Sequence, residues 1–301
     1  MKKKPVAARL PYILILDLDA TVVGDVNYVI EEHGLHHALR QKGISSAGFA
    51  SHFAESFRSG LLRPHFCEFI QGLQAAYDGL EVFVFSAGSD TWVPTIIGEI
   101  EKFCGIRVHR PYFSRKDTHI GADQNGSFSY TKSITATLEK IFRVLEDDYK
   151  ALRKPEAREH VTENRVLMLD DNTSVIADHT DRHLAIPEYT FTYAFDITAG
   201  LPDAVRALPE VTEYMKAFTK SGTVADYPYA PAPGVGDAQT SRMTYYLAMA
   251  ALIERKMRAN ASSAEDRVFQ RLLKMMVKGG APVYEEWPKR VVASIQRRLA
   301  K

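Results

Sequence analysis

The chain has 301 residues, 46% of them hydrophobic and 25% charged, with a formal net charge of +1. This is the balance of an ordinary soluble globular protein, long enough for one large core or for a domain with a smaller companion, and no apolar run approaches the length that spans a bilayer. The near-neutral total hides an asymmetry: residues 241–301 hold 13 Lys and Arg against 5 Asp and Glu, a tail of +8 beside a body of −7. The only cysteines, Cys67 and Cys104, give no disulfide framework and fit a reducing compartment.

The basic start, Met1 to Pro5, reads as a solvated arm, and nuclear import or nucleic-acid contact is the sharper alternative. The apolar run behind it is broken by Asp17 and Asp19 too early for a secretory signal, so an intracellular protein, cytoplasmic or nuclear, is expected. Tyr12 to Leu16 is a short apolar run that suits a central parallel strand covered on both faces, and such strands present ligands at their carboxyl ends. Asp17 and Asp19 stand at that edge. Two acids so close repel one another unless a cation or phosphate chemistry uses them.

From Gly24 to Gly60 the pattern is helical and polar. His33 and His37, with His36 between them, have i, i+4 spacing, as do His179 and His183, but neither pair has the flanking Glu of a zinc-protease helix or a third ligand nearby. Both read as ordinary histidine sets. Arg63-Pro64 opens a helix with apolar positions Phe66, Phe69, Ile70 and Leu73. A second strand, Leu80 to Phe85, ends at the small-residue turn Ser86 to Ser89 before a helix over Trp92 to Phe103, where a hydroxyl and free amides favour an anion. About residues 106–131, with the turn signal Asn125-Gly126, read as a small β insertion. Lys132 then opens a helix through Leu145, with Ile134, Leu138, Ile141 and Leu145 on one face. Glu146 to Asn164 is highly charged and reads as a solvated linker, with an exposed helical extension as the alternative. A third strand, Arg165 to Leu169, ends in Asp170-Asp171-Asn172.

The order Asp17-x-Asp19-x-Thr21, Ser86, Lys132, Asp170-Asp171, each at a strand end or helix start, resembles the haloacid dehalogenase-like phosphotransferases. Arg63-Pro64 followed by a helix with Glu68-Phe69 and a strand ending in Ser86 is similar to the RNA polymerase II C-terminal-domain phosphatases and their small relatives. Arg115 resembles an arginine of that family's insertion. One departure is Ala20, where the family usually has an acid, together with the loop Gly24 to Tyr28; it bears on the substrate more than on the chemistry.

The resemblance covers about residues 10 to 218 and implies an α/β fold, a Rossmann-like parallel sheet flanked by helices with a small β insertion. Domain 1–218 is followed by a Pro-rich linker, 219–239, and a basic helical C-terminal extension, 240–301. Three helices are expected there, about Thr240 to Ala259, Ser263 to Lys278 (Ser263 with Asp266 as cap, Gly279-Gly280 as stop) and Pro288 to Leu299. In the last, Val291, Val292, Ile295 and Leu299 form a stripe suited to packing on its own protein, opposite Lys289, Arg290, Arg297 and Arg298.

By the same resemblance Asp17 is the nucleophile and Asp19 the general acid and base. Thr21, Ser86 and Lys132 hold the phosphoryl group, and Mg2+ is bound by Asp17, the Asp19 carbonyl, and the Asp170-Asp171 pair, with Asp171 as the direct ligand. The implied substrate is a phosphoserine or phosphothreonine protein. The alternatives are nucleic-acid ends or small phosphate esters, or a catalytically silent binding module, and the basic tail offers a surface for nucleic acid or an acidic partner.

Overall fold

The computed structural model of the chain describes residues 9–26, 42–43, 53–122, 128–193, 203–209, 211–212, 260–263 and 265–300. Expectations about His33, His36 and His37, the turn Asn125-Gly126, the stretch 219–239 and the helix Thr240 to Ala259 concern residues outside these. The chain divides into two compact units, one of Met1–Val23, Arg63–Tyr189 and Asp266–Lys301, the other of Gly24–Leu62 and Thr190–Glu265.

The first unit contains strands β1 (Tyr12–Leu16), β2 (Leu80–Val84), β3 (His119–Ala122), β4 (Phe128–Thr131), β5 (Val166–Asp170), β6 (His183–Ala185), β7 (Val277–Lys278) and β8 (Ala281–Pro282). Its helices are α1 (Phe66–Ala76), α2 (Trp92–Cys104), α3 (Ile134–Leu145), α4 (Pro155–Asn164), α5 (Val268–Met276) and α6 (Lys289–Leu299). The main sheet has the order β2-β1-β5-β6 and is parallel throughout. β1 is apolar at every position from Ile13 to Leu16 because both its faces are covered, and all four side chains are buried. Alternation sends Ile13, Ile15, Phe83, Phe85, Val166 and Met168 into one core with Ile134, Leu138, Ile141, Phe142 and Leu145 of α3 and Val161 of α4. The chain leaves β1 for β2 on one side and later returns on the other side as β5. The carboxyl ends of β1 and β5 therefore flank a topological switch point, where crossover connections diverge, the position at which open α/β sheets generally bind ligands.

The insertion is an antiparallel pair, His119 opposite Thr131 and Ala122 opposite Phe128. Residues 146–164 are no solvated linker. A 3-10 turn over Lys150–Arg153 and helix α4, with Pro155 in its first turn, place Leu152 and Val161 fully in the core. Two inward apolar side chains suffice to anchor a segment whose charges face water. The cysteines also correct the sequence reading. Cys67 at the start of α1 and Cys104 at the end of α2 form a disulfide with Cα atoms 5.1 Å apart, although 37 positions separate them.

The C-terminal segment is built into this unit. Phe269 of α5 packs on Phe66 and Phe69 of α1, with ring centroids 5.2 and 5.0 Å away. The helix expected from Ser263 starts later, at Val268, whose amide is capped by Asp266 Oδ1 at 3.0 Å. It also ends early: Gly279 and Gly280, both at positive φ, form the turn of the β7–β8 hairpin, because left-handed geometry at two successive glycines matches the twist of a tight hairpin. On α6, Val292, Ile295 and Leu299 are buried while Lys289, Arg290, Arg297 and Arg298 face solvent. Gln296 bonds both the N–H and the carbonyl of Ala185, at 2.8 and 2.9 Å, and so caps the exposed edge of β6.

Trp287 is fully buried against the rings of Tyr12 and Tyr77, with centroids 5.2 and 5.1 Å away. Trp287→Ala is expected to cost about 3–5 kcal/mol and lower the melting temperature by on the order of 10 °C, as calorimetry would show; a detachable tail would leave the melt unchanged.

In the second unit Asp25–Val26 pairs in parallel with Thr192–Tyr193, and Asn260 bonds both the N–H and the carbonyl of Thr192, each at 2.8 Å. Helix Phe53–Arg58 buries Phe53 and Phe57. Gly60, at φ 114°, lies under the Phe191 ring, where a Cβ would approach to 2.6 Å.

Candidate active site

Three strand ends bring the predicted site residues to one edge of the sheet. After Leu16 the chain continues alongside β5, Asp17 N–H bonding Leu169 C=O at 2.9 Å, and then turns sharply so that Ala20 adopts φ 61°. A non-glycine residue there carries strain of about 1–2 kcal/mol; the turn is held by Ala20 N–H to Val23 C=O and by Val22 and Val23 N–H to Leu18 C=O. Lys132 precedes α3 and is clamped on both sides: its N–H bonds Val175 C=O and its C=O accepts from Ala177 N–H. The helix start behind it is capped by Ser133, which accepts from Ala136 N–H, and by Asp178, which receives the Ser133 hydroxyl and the Ile134 amide.

These supports aim the Lys132 ammonium between two carboxylates, 2.6 Å from Asp17 Oδ1 and 2.7 Å from Asp170 Oδ2. All three side chains are buried. Burial pushes the Asp17 carboxyl up, to about 7, against the pull of Lys132 and with the push of Asp170 and Asp19. Burial works against the Lys132 ammonium, but Asp17 and then Asp170 hold it above the ordinary lysine range. Asp171, half-buried, completes the group: Asp17, Asp170 and Asp171 each offer an oxygen within 4.8 Å of the others. Its carboxyl is raised, by burial first and then by Asp170, while the Thr21 hydroxyl draws it down.

Asp19 behaves differently. Its carboxylate turns away from that cluster and receives the Ser86 hydroxyl on Oδ2 and the Trp92 indole N–H on Oδ1, each at 3.0 Å. Ser86 is buried and its Oγ accepts Gly88 N–H at 2.9 Å. A side chain at Gly88 would crowd this corner, with a Cβ 2.9 Å from Trp92 and 3.1 Å from Ser86 Oγ. Thr21, expected on the phosphoryl group, is fully buried; its hydroxyl donates to Asp171 Oδ1 at 2.8 Å and accepts Asp171 N–H at 3.0 Å. In this geometry it orients Asp171. Arg115 lies beside the Ser86 turn, Nε on Ala87 C=O at 2.9 Å and the guanidinium over Tyr130. His183 has a ring nitrogen 3.2 Å from Asp170 C=O, and His179 joins no ligand group among the described residues.

A sequence model of the NLI interacting factor-like phosphatases matches residues 12–222. The chain belongs to that family. Solved structures similar to it include a fission yeast RNA polymerase II CTD phosphatase, an Fcp1 variant bound to beryllium fluoride. It is 13% identical over 88% of this chain and 61% of that one, with a TM-score of 0.35. A second Fcp1 structure, described as an essential RNA polymerase II CTD phosphatase, is 15% identical over 88% of this chain and 70% of that one, with a TM-score of 0.33. The chain thus spans about three fifths of the length of the first of these. No curated protein sequence matches it.

The family match includes every residue of the acid and lysine cluster and stops short of α5 and α6. Two contributors escaped the sequence reading. Trp92 was legible only as the first residue of a helix, with no hint that its indole reaches back to Asp19. Asp178 sits in a polar stretch after the third strand and gave no sign of capping the helix that carries Lys132.

Proposed function

We propose that this chain is a Mg2+-dependent phosphomonoesterase that works through an aspartyl-phosphate on Asp17, and that its substrate is phosphoserine or phosphothreonine in a protein. The observation that carries this reading is the Lys132 ammonium seated between Asp17 and Asp170 at the sheet's switch point, in a chain of a phosphatase family. The three carboxylates form an all-oxygen donor set that suits a small hard cation, with Asp17, Asp170 and Asp171 as the side chains to hold it. When bound, Mg2+ supplies charge neutralisation at the phosphoryl oxygens.

The remaining steps belong to the chain. Asp17 attacks phosphorus in line while the ester oxygen departs, and Lys132, fixed beside Asp17, neutralises charge that builds on the transferred group. Asp19, held by Ser86 and Trp92, hands a proton to the leaving oxygen and then takes one from the water that cleaves the acyl phosphate. The Ser86 hydroxyl, now on Asp19 Oδ2, and the Gly88 amide, now on Ser86 Oγ, are further donors that would turn to the phosphoryl oxygens.

Phosphate release from a phosphoserine peptide and from an aryl phosphate, with Mg2+ and with chelator, tests the reading. Metal-dependent release that favours the peptide supports it; release with a flat preference favours small esters, and none from a folded chain favours a binding module. The raised carboxyl of Asp17 adds a pH expectation, because a cation must displace the proton that this group retains up to about pH 7; the Asp171 carboxyl is raised in the same direction. Mg2+ affinity should rise about tenfold per pH unit below about 7 and level off above it, with proton release seen as a buffer-dependent calorimetric enthalpy. A flat affinity between pH 5.5 and 7 would mean that these acids are not the ligands.

A further inference from the structure

Arg63 is almost completely buried, and it is not one of the residues that touch the acid cluster. Its guanidinium makes a fork on Asp266, Nε to Oδ1 at 3.2 Å and Nη2 to Oδ2 at 2.8 Å, and lies against the rings of Tyr189 and Phe269, 5.2 and 5.7 Å from their centroids. The remaining nitrogen, Nη1, donates to the main-chain carbonyl of Thr21 at 3.1 Å, and the Arg63 amide donates to Val22 C=O at 2.9 Å. One residue therefore pins two successive carbonyls of the turn that follows Asp19. That turn is strained at Ala20 and is tied besides by Tyr189 N–H to Ala20 C=O, by the Thr21 hydroxyl to Asp171 and by its own internal bonds. Its payload is the Thr21 hydroxyl, which orients Asp171 from both directions.

We infer that Asp266 is a positioning residue of the catalytic centre: by fixing the Arg63 guanidinium it holds the turn 20–22, and through Thr21 it sets the Asp171 carboxylate. A planar guanidinium held by a two-pronged carboxylate has one remaining direction in which to donate, so its aim at Thr21 C=O is set by the acid behind it. Asp266 lies in the C-terminal segment beyond the family match. This segment thus reaches the turn 20–22 through Arg63. The activity arm of the inference rests on the phosphatase reading; the structural arm does not.

The test replaces the pair as a unit, Arg63→Met with Asp266→Leu, because exchanging a buried ion pair for apolar side chains of similar volume preserves folding whereas removing one partner does not. The expected result is a melting temperature lowered by no more than a few degrees, the effect of losing the Asp266 cap on Val268, kcat on an aryl phosphate reduced about 10- to 100-fold with little change in KM, as a misplaced catalytic group produces, and faster hydrogen exchange at the Ala20, Val22 and Val23 amides while β1 stays protected. Kcat within twofold of wild type in the folded double variant, or unchanged exchange in the turn, overturns the inference. If the double variant does not fold, Asp266→Asn, which keeps one acceptor for Arg63, is measured against Asp266→Glu, which keeps the charge. Turnover and turn protection better retained in the glutamate variant support the inference, and equal values in the two overturn it. A wild-type chain that releases no phosphate defeats the phosphatase reading, and the exchange measurement then decides this one alone.

Discussion

Asp17→Asn is expected to lower phosphate release by at least about 10^4-fold while leaving the protein as stable as the wild type or more so. The loss follows because an amide can neither attack phosphorus nor form the acyl phosphate, and among the described residues the neighbouring carboxylates are otherwise engaged: Asp170 on Lys132 and Asp171 on Thr21. The stability half follows from the raised carboxyl. Below about pH 4 both folded and unfolded chains hold the proton and Asp17 has no effect. Between about 4 and 7 the folded chain retains a proton that the unfolded chain has released, so this group disfavours folding increasingly as pH rises, and the effect is complete above 7. The asparagine lacks that slope. Thermal melts from pH 4 to 8 beside a phosphate assay check both halves, and a variant that retains a tenth of wild-type turnover would remove Asp17 from the role of nucleophile.

Lys132→Met has the second large effect, on stability as well as on rate. It leaves Asp17 and Asp170, both buried, facing each other with no cation between them. At pH 7.5 in chelator the loss should be about 3–5 kcal/mol, the cost of stripping one partner from a buried ionic group. At pH 5 it should shrink, because a proton shared between two close acids replaces the lost charge. Millimolar Mg2+ should raise the melting temperature of this variant more than that of the wild type, since the cation then fills the role of the missing ammonium. Turnover with Mg2+ should fall about 10^2- to 10^3-fold. A variant with wild-type stability in chelator at pH 7.5 would show that the lysine is not holding the acids together.

The three apolar runs lie where the periodicity put them. Tyr12–Leu16, Leu80–Val84 and Val166–Asp170 are parallel neighbours, and the acids and hydroxyl that follow them meet at one sheet edge. For the charged segment 146–164 the helical alternative holds over 155–164 and the linker reading fails, because composition weighs its many charges above Leu152 and Val161, whereas burial depends on which few side chains point inward. The helix expected through Lys278 failed for a local reason, two glycines that serve a hairpin as readily as a helix stop.

What the sequence determined by itself was three of the four strands of the main sheet and the polar residues that close them, because a strand covered on both faces must be apolar along its length and polar groups can begin only where that run ends. The tertiary structure alone decided the partners: Lys132 between Asp17 and Asp170, Thr21 on Asp171, Trp92 on Asp19, Cys67 with Cys104, and Arg63 held by Asp266 across 203 positions. Pairings of this kind depend on the lateral order of strands and on the faces that helices turn to one another. Residues far apart in the chain leave no mark of such contacts in local periodicity, since the energy that joins them exists only once the core has closed.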